Sequence, residues 1–160
     1  MPRTAKLSRE EQRTARSATR LFTVQALFQM EASATPLSAV REEFESHRFG
    51  AEIEGETYAE GDVDMFRQLL ARAVDEQATI DQLTEAALVT KWPLGRIDPT
   101  LRALFRAAGA ELLIGTTPPK VVITEYVDVA KAFYPDGRES KLSNGVLDHM
   151  ARDIRPEAFA

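Results

Sequence analysis

Apolar side chains recur at intervals of three and four residues along most of this chain, which is the spacing of helices with one buried face. The first such stretch runs from about Glu10 to Met30, with a basic first half and an apolar second half. A second helix is expected after Pro36, up to about His47. Residues 49–61 are acidic and contain three glycines, so they are expected to form an exposed loop.

Capping signals mark two further helix starts. Asp62 precedes an apolar stripe that continues to about Leu88 after a kink or short break, and its carboxylate can accept hydrogen bonds from the first backbone N–H groups of a helix. Asp98 is followed by Pro99, whose missing N–H costs nothing at the first helical position. We therefore expect a helix that starts there and ends at Gly115.

Residues 121–124, Val-Val-Ile-Thr, favour a strand by propensity alone. The apolar residues from Val122 to Phe133 nevertheless keep helical spacing, and Pro119 is a suitable first residue for a helix. We therefore predict a helix here, followed by a turn at residues 135–137.

The last predicted helix, from about Glu139 to Arg152, contains an unexpected Asn144-Gly145 pair. Asn-Gly is a strong hairpin signal, and glycine in a helix interior costs roughly 1 kcal/mol relative to alanine. We expect Gly145 to permit the close approach of another helix. Asn144 is expected to present its amide near Lys141, and its role is left open.

The elements together predict an all-α fold class, with about seven helices in two small packed bundles. The whole chain, residues 1–160, is expected to form one domain. Within it, an N-terminal subdomain of about residues 10–90 would pack against a C-terminal subdomain of about residues 91–155.

The composition indicates one domain and excludes several kinds of site. The chain has 160 residues, of which 44% are hydrophobic, enough for one domain with a buried core. It contains no cysteine, which excludes disulfides and thiolate catalysis. No apolar run approaches the roughly 18 residues that a membrane helix needs, so we expect a cytoplasmic protein with no membrane partner.

The net charge of −5 is unevenly distributed. Residues 1–20 carry a charge of +4, residues 31–85 a charge of −10 and residues 86–160 a charge of +1. A basic arm on an acidic body is typical of a segment that meets an anion, although a solvated helix face would carry the same charges.

Residue clusters that could support catalysis are sparse. The chain has two histidines, and the best metal-binding spacing, that of Asp148, His149 and Asp153, is weak. The eight glycines form no phosphate-binding loop, and the paired carboxylates lie in polar stretches rather than in apolar pockets. We therefore expect no enzyme activity, no catalytic residue, no metal and no cofactor.

The basic arm is the first candidate for RNA binding. Arg13, Arg16 and Arg20 are spaced at i, i+3 and i+7, which places three guanidinium groups on one helix face where they could follow phosphates.

Four residues elsewhere could add to such a surface. Phe28 and Phe133 are able to stack on a base if exposed, and the alternative for each is a place in the core. Lys141 and Asn144 could offer a charge and an amide to one ligand. The alternative is a solvated lysine and an amide that caps or packs.

Several short motifs, in their order and spacing, resemble the NusB family of bacterial transcription antitermination proteins over nearly the whole chain. The matching segments are Val24–Phe28 after the arginines, Leu104–Leu112, Lys120–Lys131, Asn144–Asp148 and Ile154–Pro156.

The resemblance implies an all-helical RNA-binding protein that pairs with NusE, a small-subunit ribosomal protein. Such a protein binds boxA RNA in transcripts of rRNA operons. Within an antitermination complex it helps RNA polymerase to read through terminators.

The resemblance also assigns residues. Arg16 and Arg20 match positions in the arginine-rich N-terminal helix that contacts RNA, and Phe28 stands where the family often has tyrosine. Phe133 and Lys141 match positions near the RNA path.

The chain departs from the family pattern at three places. Ser17 and Ala18 interrupt the arm, Leu142-Ser143 replaces an aromatic-valine pair, and the turn before this pair is one residue longer. Beside RNA binding we keep a second hypothesis, a helical protein-interaction scaffold or homodimer in which the acidic body, not the arm, meets the partner.

Overall fold

The computed structural model describes residues 8–47, 52–53, 56–57, 62–88 and 94–160. The helices in this part of the chain are α1 (Arg9–Ser33), α2 (Leu37–His47), α3 (Val63–Asp75), α4 (Gln77–Ala87), α5 (Pro99–Ile114), α6 (Pro119–Phe133) and α7 (Arg138–Ile154). Two 3₁₀ helices cover Leu94–Arg96 and Pro156–Phe159, and strands β1 (Glu52–Ile53) and β2 (Glu56–Thr57) pair in antiparallel fashion. The predicted all-α class with about seven helices is confirmed. Apart from β1 and β2, the loop predicted at residues 49–61 lies outside the described residues.

Helix starts follow the predicted capping chemistry. The Asp62 carboxylate accepts the backbone N–H of Met65 at 2.9 Å, and the Asp98 carboxylate accepts that of Thr100 at 2.8 Å. At the start of α1, Ser8 forms a reciprocal capping box with a glutamate three residues later. These bonds satisfy N–H groups that a helix start leaves without partners.

Helix ends were also predicted from the sequence. Gly115 ends α5 with a φ of +80°, and Gly137 precedes α7 with a φ of +86°, both in the left-handed region that glycine tolerates. The break expected in the apolar stripe after Asp62 lies at Glu76, which separates α3 from α4.

Helix α5 is the central helix of the fold. It packs against α1, α3, α4, α6 and α7, and ten of its residues are buried. The apolar core is continuous, because Phe44 and Phe66 from the N-terminal part belong to the same cluster as Tyr126 and Leu147 from the C-terminal part. None of the described helices is both long and apolar enough to cross a membrane.

The expectation that Gly145 permits a close helix contact is wrong. Gly145 is exposed, and a Cβ atom added there would meet none of the described residues within 4 Å. The close approach is at Gly109 instead, where an added Cβ would lie 2.5 Å from Cγ2 of Ile80 and so clash across the α4–α5 contact. Gly145 thus lies on an exposed position of α7, and none of the described helices comes close enough to require the glycine.

Candidate nucleic-acid interface

The arm on α1 separates into an exposed and a buried part. Residues 8–14 are all exposed, including Arg13, so the first two turns of α1 extend beyond the core. Arg16, three residues later, is half-buried, and Arg20 is only 2% exposed. The structure therefore brings Arg13 and Arg16 to the surface and turns Arg20 inward.

Arg20 lies in a buried network that joins α1 to α5 and α6. Its Nε donates to Glu111 at 3.0 Å, and its Nη2 donates to the other oxygen of the same carboxylate at 2.8 Å. Its Nη1 lies 3.2 Å from Glu125, and the Tyr126 hydroxyl donates to Glu111 at 2.9 Å. Arg20 thus directs its guanidinium at two carboxylates of the protein.

The electrostatics of this network favour the paired state. Burial opposes the charged form of Arg20, but the hydrogen bond to Glu111 and its negative charge leave the pKa of Arg20 above its ordinary value. Complete burial and the Glu111 charge hold the pKa of Tyr126 well above its usual range. At neutral pH the tyrosine is therefore a hydrogen-bond donor.

One signal in the sequence pointed to this network. Glu111 is an isolated acid on a helix whose neighbouring positions are almost all apolar, and a buried carboxylate needs a cationic partner. Which arginine supplies it depends on tertiary structure, since Arg20 and Glu111 are 91 residues apart.

Arg16 lines a cleft of about 280 Å³ between the start of α3 and the end of α5. Asp62, Asp64 and Gln68 come from α3 and its cap, and Thr116 and Thr117 follow α5. Neither Arg13 nor Arg16 forms an ion pair with the described residues. Their guanidinium groups are available to an external anion.

Phe28 lies farther along α1 and is 39% exposed, an unusually high value for a phenylalanine. It follows Arg13 by 15 residues, which corresponds to about 22 Å along the helix axis and to a direction about 60° around it. This exposure is compatible with the predicted stacking on a base.

The other three candidates lie on α6 and α7. Phe133 is half-buried at the end of α6, and its ring centroid is 6.5 Å from that of Tyr134. Lys141 and Asn144 are exposed one turn apart on α7. Helix α6, which carries Phe133, packs against both α1 and α7, so it connects the helix of Lys141 and Asn144 to the helix that carries Arg13 and Arg16.

Among the described residues, no three acidic, histidine or cysteine side chains converge closely enough to hold a metal ion. Of the three residues with metal-like spacing, His149 pairs with Asp153 at 3.3 Å, and Asp148 pairs with Arg152 at 2.9 Å. Both pairs lie along the surface of α7.

Comparison with known proteins gives a consistent result. Residues 17–152 match the model of the NusB family. The chain is 45% identical to the transcription antitermination protein NusB of Sinorhizobium fredii over 148 residues, which cover 92% of each chain. It is 46% identical to that of Maricaulis maris over 145 residues, covering 90% of each.

Solved structures agree on the fold. T. maritima NusB superimposes with a TM-score of 0.72 at 28% sequence identity, covering 90% of this chain and 96% of that chain. NusB in a crystal structure with NusE and dsRNA gives a TM-score of 0.70 at 20% identity, covering 87% of this chain and 97% of that chain. At that identity the second likeness supports the fold alone.

Proposed function

Because this chain belongs to the NusB family, we propose that it is a transcription antitermination factor that binds boxA RNA of rRNA operon transcripts together with the ribosomal protein NusE. In this role it is an RNA-binding protein and not an enzyme. It would act in the cytoplasm, as part of a complex in which RNA polymerase reads through terminators. Family membership is the observation that carries the proposal.

The surface of the molecule supports an RNA-binding role in two places. Arg13 and Arg16 offer guanidinium groups that form no ion pair with the described residues, and Phe28 offers an exposed ring on the same helix. Lys141 and Asn144 offer a cation and an amide on α7. Phosphate contacts by arginine and stacking by exposed aromatic rings are the main means by which proteins hold single-stranded RNA.

Arg20 takes a different part in this proposal. Its guanidinium is buried against Glu111 and Glu125, so it positions α1 rather than contacting a phosphate.

Salt dependence of binding tests the arm. Affinity for a labelled single-stranded boxA RNA is measured by fluorescence anisotropy from 50 to 300 mM salt. About four phosphate contacts give a slope of roughly −3 for the logarithm of the affinity against that of the salt concentration. The double variant R13A/R16A should make this negative slope shallower by about 1.4, since each lost contact on a single strand contributes about 0.7.

The matched control is R67A/R72A, which removes the same charge from two arginines on α3, the exposed Arg67 and the half-buried Arg72, that are paired with glutamates. It should leave the slope nearly unchanged. Equal slopes for wild type and R13A/R16A would remove the arm from the proposed interface.

Partner binding tests the rest of the proposal. Purified NusE and boxA RNA are mixed with the protein and passed through size exclusion with light scattering. A complex that contains all three components is expected. Elution of a homodimer that takes up neither component would favour the scaffold hypothesis.

A further inference from the structure

Asn144 is the only asparagine of the chain, and a glycine follows it. Both residues are exposed and lie about two turns after the start of α7. Neither packing nor backbone conformation explains the glycine, since an added Cβ would meet none of the described residues within 4 Å and Gly145 has no positive φ. The glycine does leave its backbone nitrogen unshielded beside the Asn144 amide, which is the arrangement from which asparagine loses ammonia most readily.

This loss of ammonia needs no cofactor and no second protein. The backbone nitrogen of Gly145 gives up its proton and attacks Cγ of Asn144. A bond forms between this nitrogen and Cγ, the bond from Cγ to Nδ2 breaks, and ammonia leaves with the released proton. Water then opens the resulting succinimide ring, to aspartate if the new bond breaks and to isoaspartate if the original peptide bond breaks.

A closed α7 protects Asn144 from this reaction. In an α-helix the N–H of residue 145 donates to the carbonyl of residue 141, so this nitrogen is neither free nor turned towards Cγ of Asn144. The ring can therefore form only while this part of α7 is open. The rate of conversion in the native protein then depends on how often the helix opens.

The first half of α7 contains features that favour opening. The Ser143 hydroxyl is completely buried and has no hydrogen-bond partner among the described residues, and the same holds for the buried Oε2 of Glu139. These atoms can bond to water when the helix opens, which lowers the free energy that opening requires. Gly145 lowers it further, because glycine gains more conformational freedom on opening than other residues do. The second half of α7, in contrast, buries Met150 against Thr84 of α4.

We propose that Asn144 is a site of spontaneous deamidation, reached through local opening of the first half of α7. The product carries a carboxylate one turn from Lys141 on the exposed side of the helix. Isoaspartate in addition lengthens the main chain within the helix and interrupts its backbone hydrogen bonds. The reaction does not involve RNA, so this inference goes beyond the proposed function.

Mass spectrometry measures the conversion directly. Wild type is incubated at neutral pH in buffer and, in parallel, in urea that unfolds it, and samples are digested with trypsin at mildly acidic pH. Cleavage after Lys141 and Arg152 isolates the peptide 142–152, which holds the only asparagine. Its amide form should convert to aspartate and isoaspartate forms, which chromatography separates. Conversion in buffer should be about 10- to 1,000-fold slower than in urea, as for a minor state populated at about 0.1–10%.

Variants test how the site is reached. S143A removes the unpaired hydroxyl and should slow conversion in buffer by about 10-fold, while the rate in urea stays the same. S38A, which changes an exposed serine on α2, is its matched control and should leave both rates unchanged. V40A leaves a cavity under α2, which packs against α1 and α3, and should lower global stability without changing the rate in buffer. N144Q keeps an amide but cannot form the succinimide ring, so it should show no conversion in either condition.

Three results would overturn the proposal. Conversion in urea without any in buffer would show that α7 protects Asn144 completely. A rate in buffer that rises in V40A by the same factor by which its folding equilibrium constant falls would show that conversion requires global unfolding. A rate in buffer that S143A leaves unchanged would remove opening of the first half of α7 as the route.

The effect on RNA is measured separately, because it rests on the proposed function. The new carboxylate should repel a phosphate near Lys141, so affinity for boxA RNA should fall by about 2- to 5-fold in converted wild type. Fluorescence anisotropy is read before and after incubation, and N144Q should show no change with time. An affinity that conversion leaves unchanged would place Asn144 outside the RNA surface. Failure of fresh wild type to bind boxA RNA, with conversion still observed, would refute the proposed function and leave the deamidation site intact.

Discussion

Replacement of Arg20 by methionine tests how α1 is attached to the rest of the molecule. Arg20 and Glu111 are each 2% exposed. The R20M variant keeps the volume of the side chain but leaves the Glu111 carboxylate buried without its cation. Removing one partner of a buried ion pair costs about 3–5 kcal/mol, so the Tm of a chain of this size should fall by about 6–20 °C.

Arg20, Glu111 and Tyr126 should contribute to the free energy of unfolding as one coupled group. A variant that also replaces Glu111 by leucine and Tyr126 by phenylalanine has no buried carboxylate and no unpaired hydroxyl. Because well-packed apolar residues can replace a buried ion pair at little cost, this triple variant should recover most of the loss caused by R20M.

Urea unfolding followed by circular dichroism measures each free energy of unfolding. R72M is the matched control, since Arg72 forms a half-buried surface ion pair with Glu76 that should contribute about 0–1 kcal/mol. If R20M lowers the free energy of unfolding no more than R72M does, Arg20 does not hold α1 through this network. The same conclusion follows if the triple variant is less stable than R20M instead of recovering part of the loss.

Three further predictions follow from packing and from a perturbed pKa. Gly109→Ala should lower the free energy of unfolding by about 1–3 kcal/mol because its Cβ would overlap a side chain of α4. Gly145→Ala should raise it by roughly 0.5–1 kcal/mol, since that helical position is open to solvent; urea unfolding measures both. Burial and the Glu111 charge raise the pKa of Tyr126, so above about pH 10 the unfolded chain releases a proton that the native state keeps. Stability should therefore fall as the pH rises from 10, and Y126F should make this fall shallower without abolishing it, because the pKa of Tyr134 is raised as well.

The helices could be predicted because their signals are local. Asp62, Asp98 and Gly115 act on backbone groups within a few residues, so their effect does not depend on the rest of the fold. At residues 121–124 periodicity was the better guide than β propensity. The reason is that α6 buries Val122 and the residues at helical spacing from it on one continuous face.

The candidate site depends on contacts that are remote in sequence. Arg13 and Arg20 lie on one side of a helix, and only the positions of α5 and α6 decide that one is exposed and the other buried. Gly109 and Gly145 both lie within helices, yet only Gly109 has a close neighbour. In both cases the local pattern is the same and the tertiary neighbours differ.

The buried network also explains the interruption of the basic arm. The Ser17 hydroxyl donates to the Glu125 carboxylate at 3.3 Å, and Arg20 binds the same carboxylate one turn later. Ser17 and Arg20 thus fix one face of α1 to α6. Residues 8–14 are all exposed and continue the same helix from this anchored turn, with about 10 Å along the helix axis from Arg13 to Arg20. A cation in place of Ser17 would add charge to the arm but would remove this hydrogen bond to Glu125.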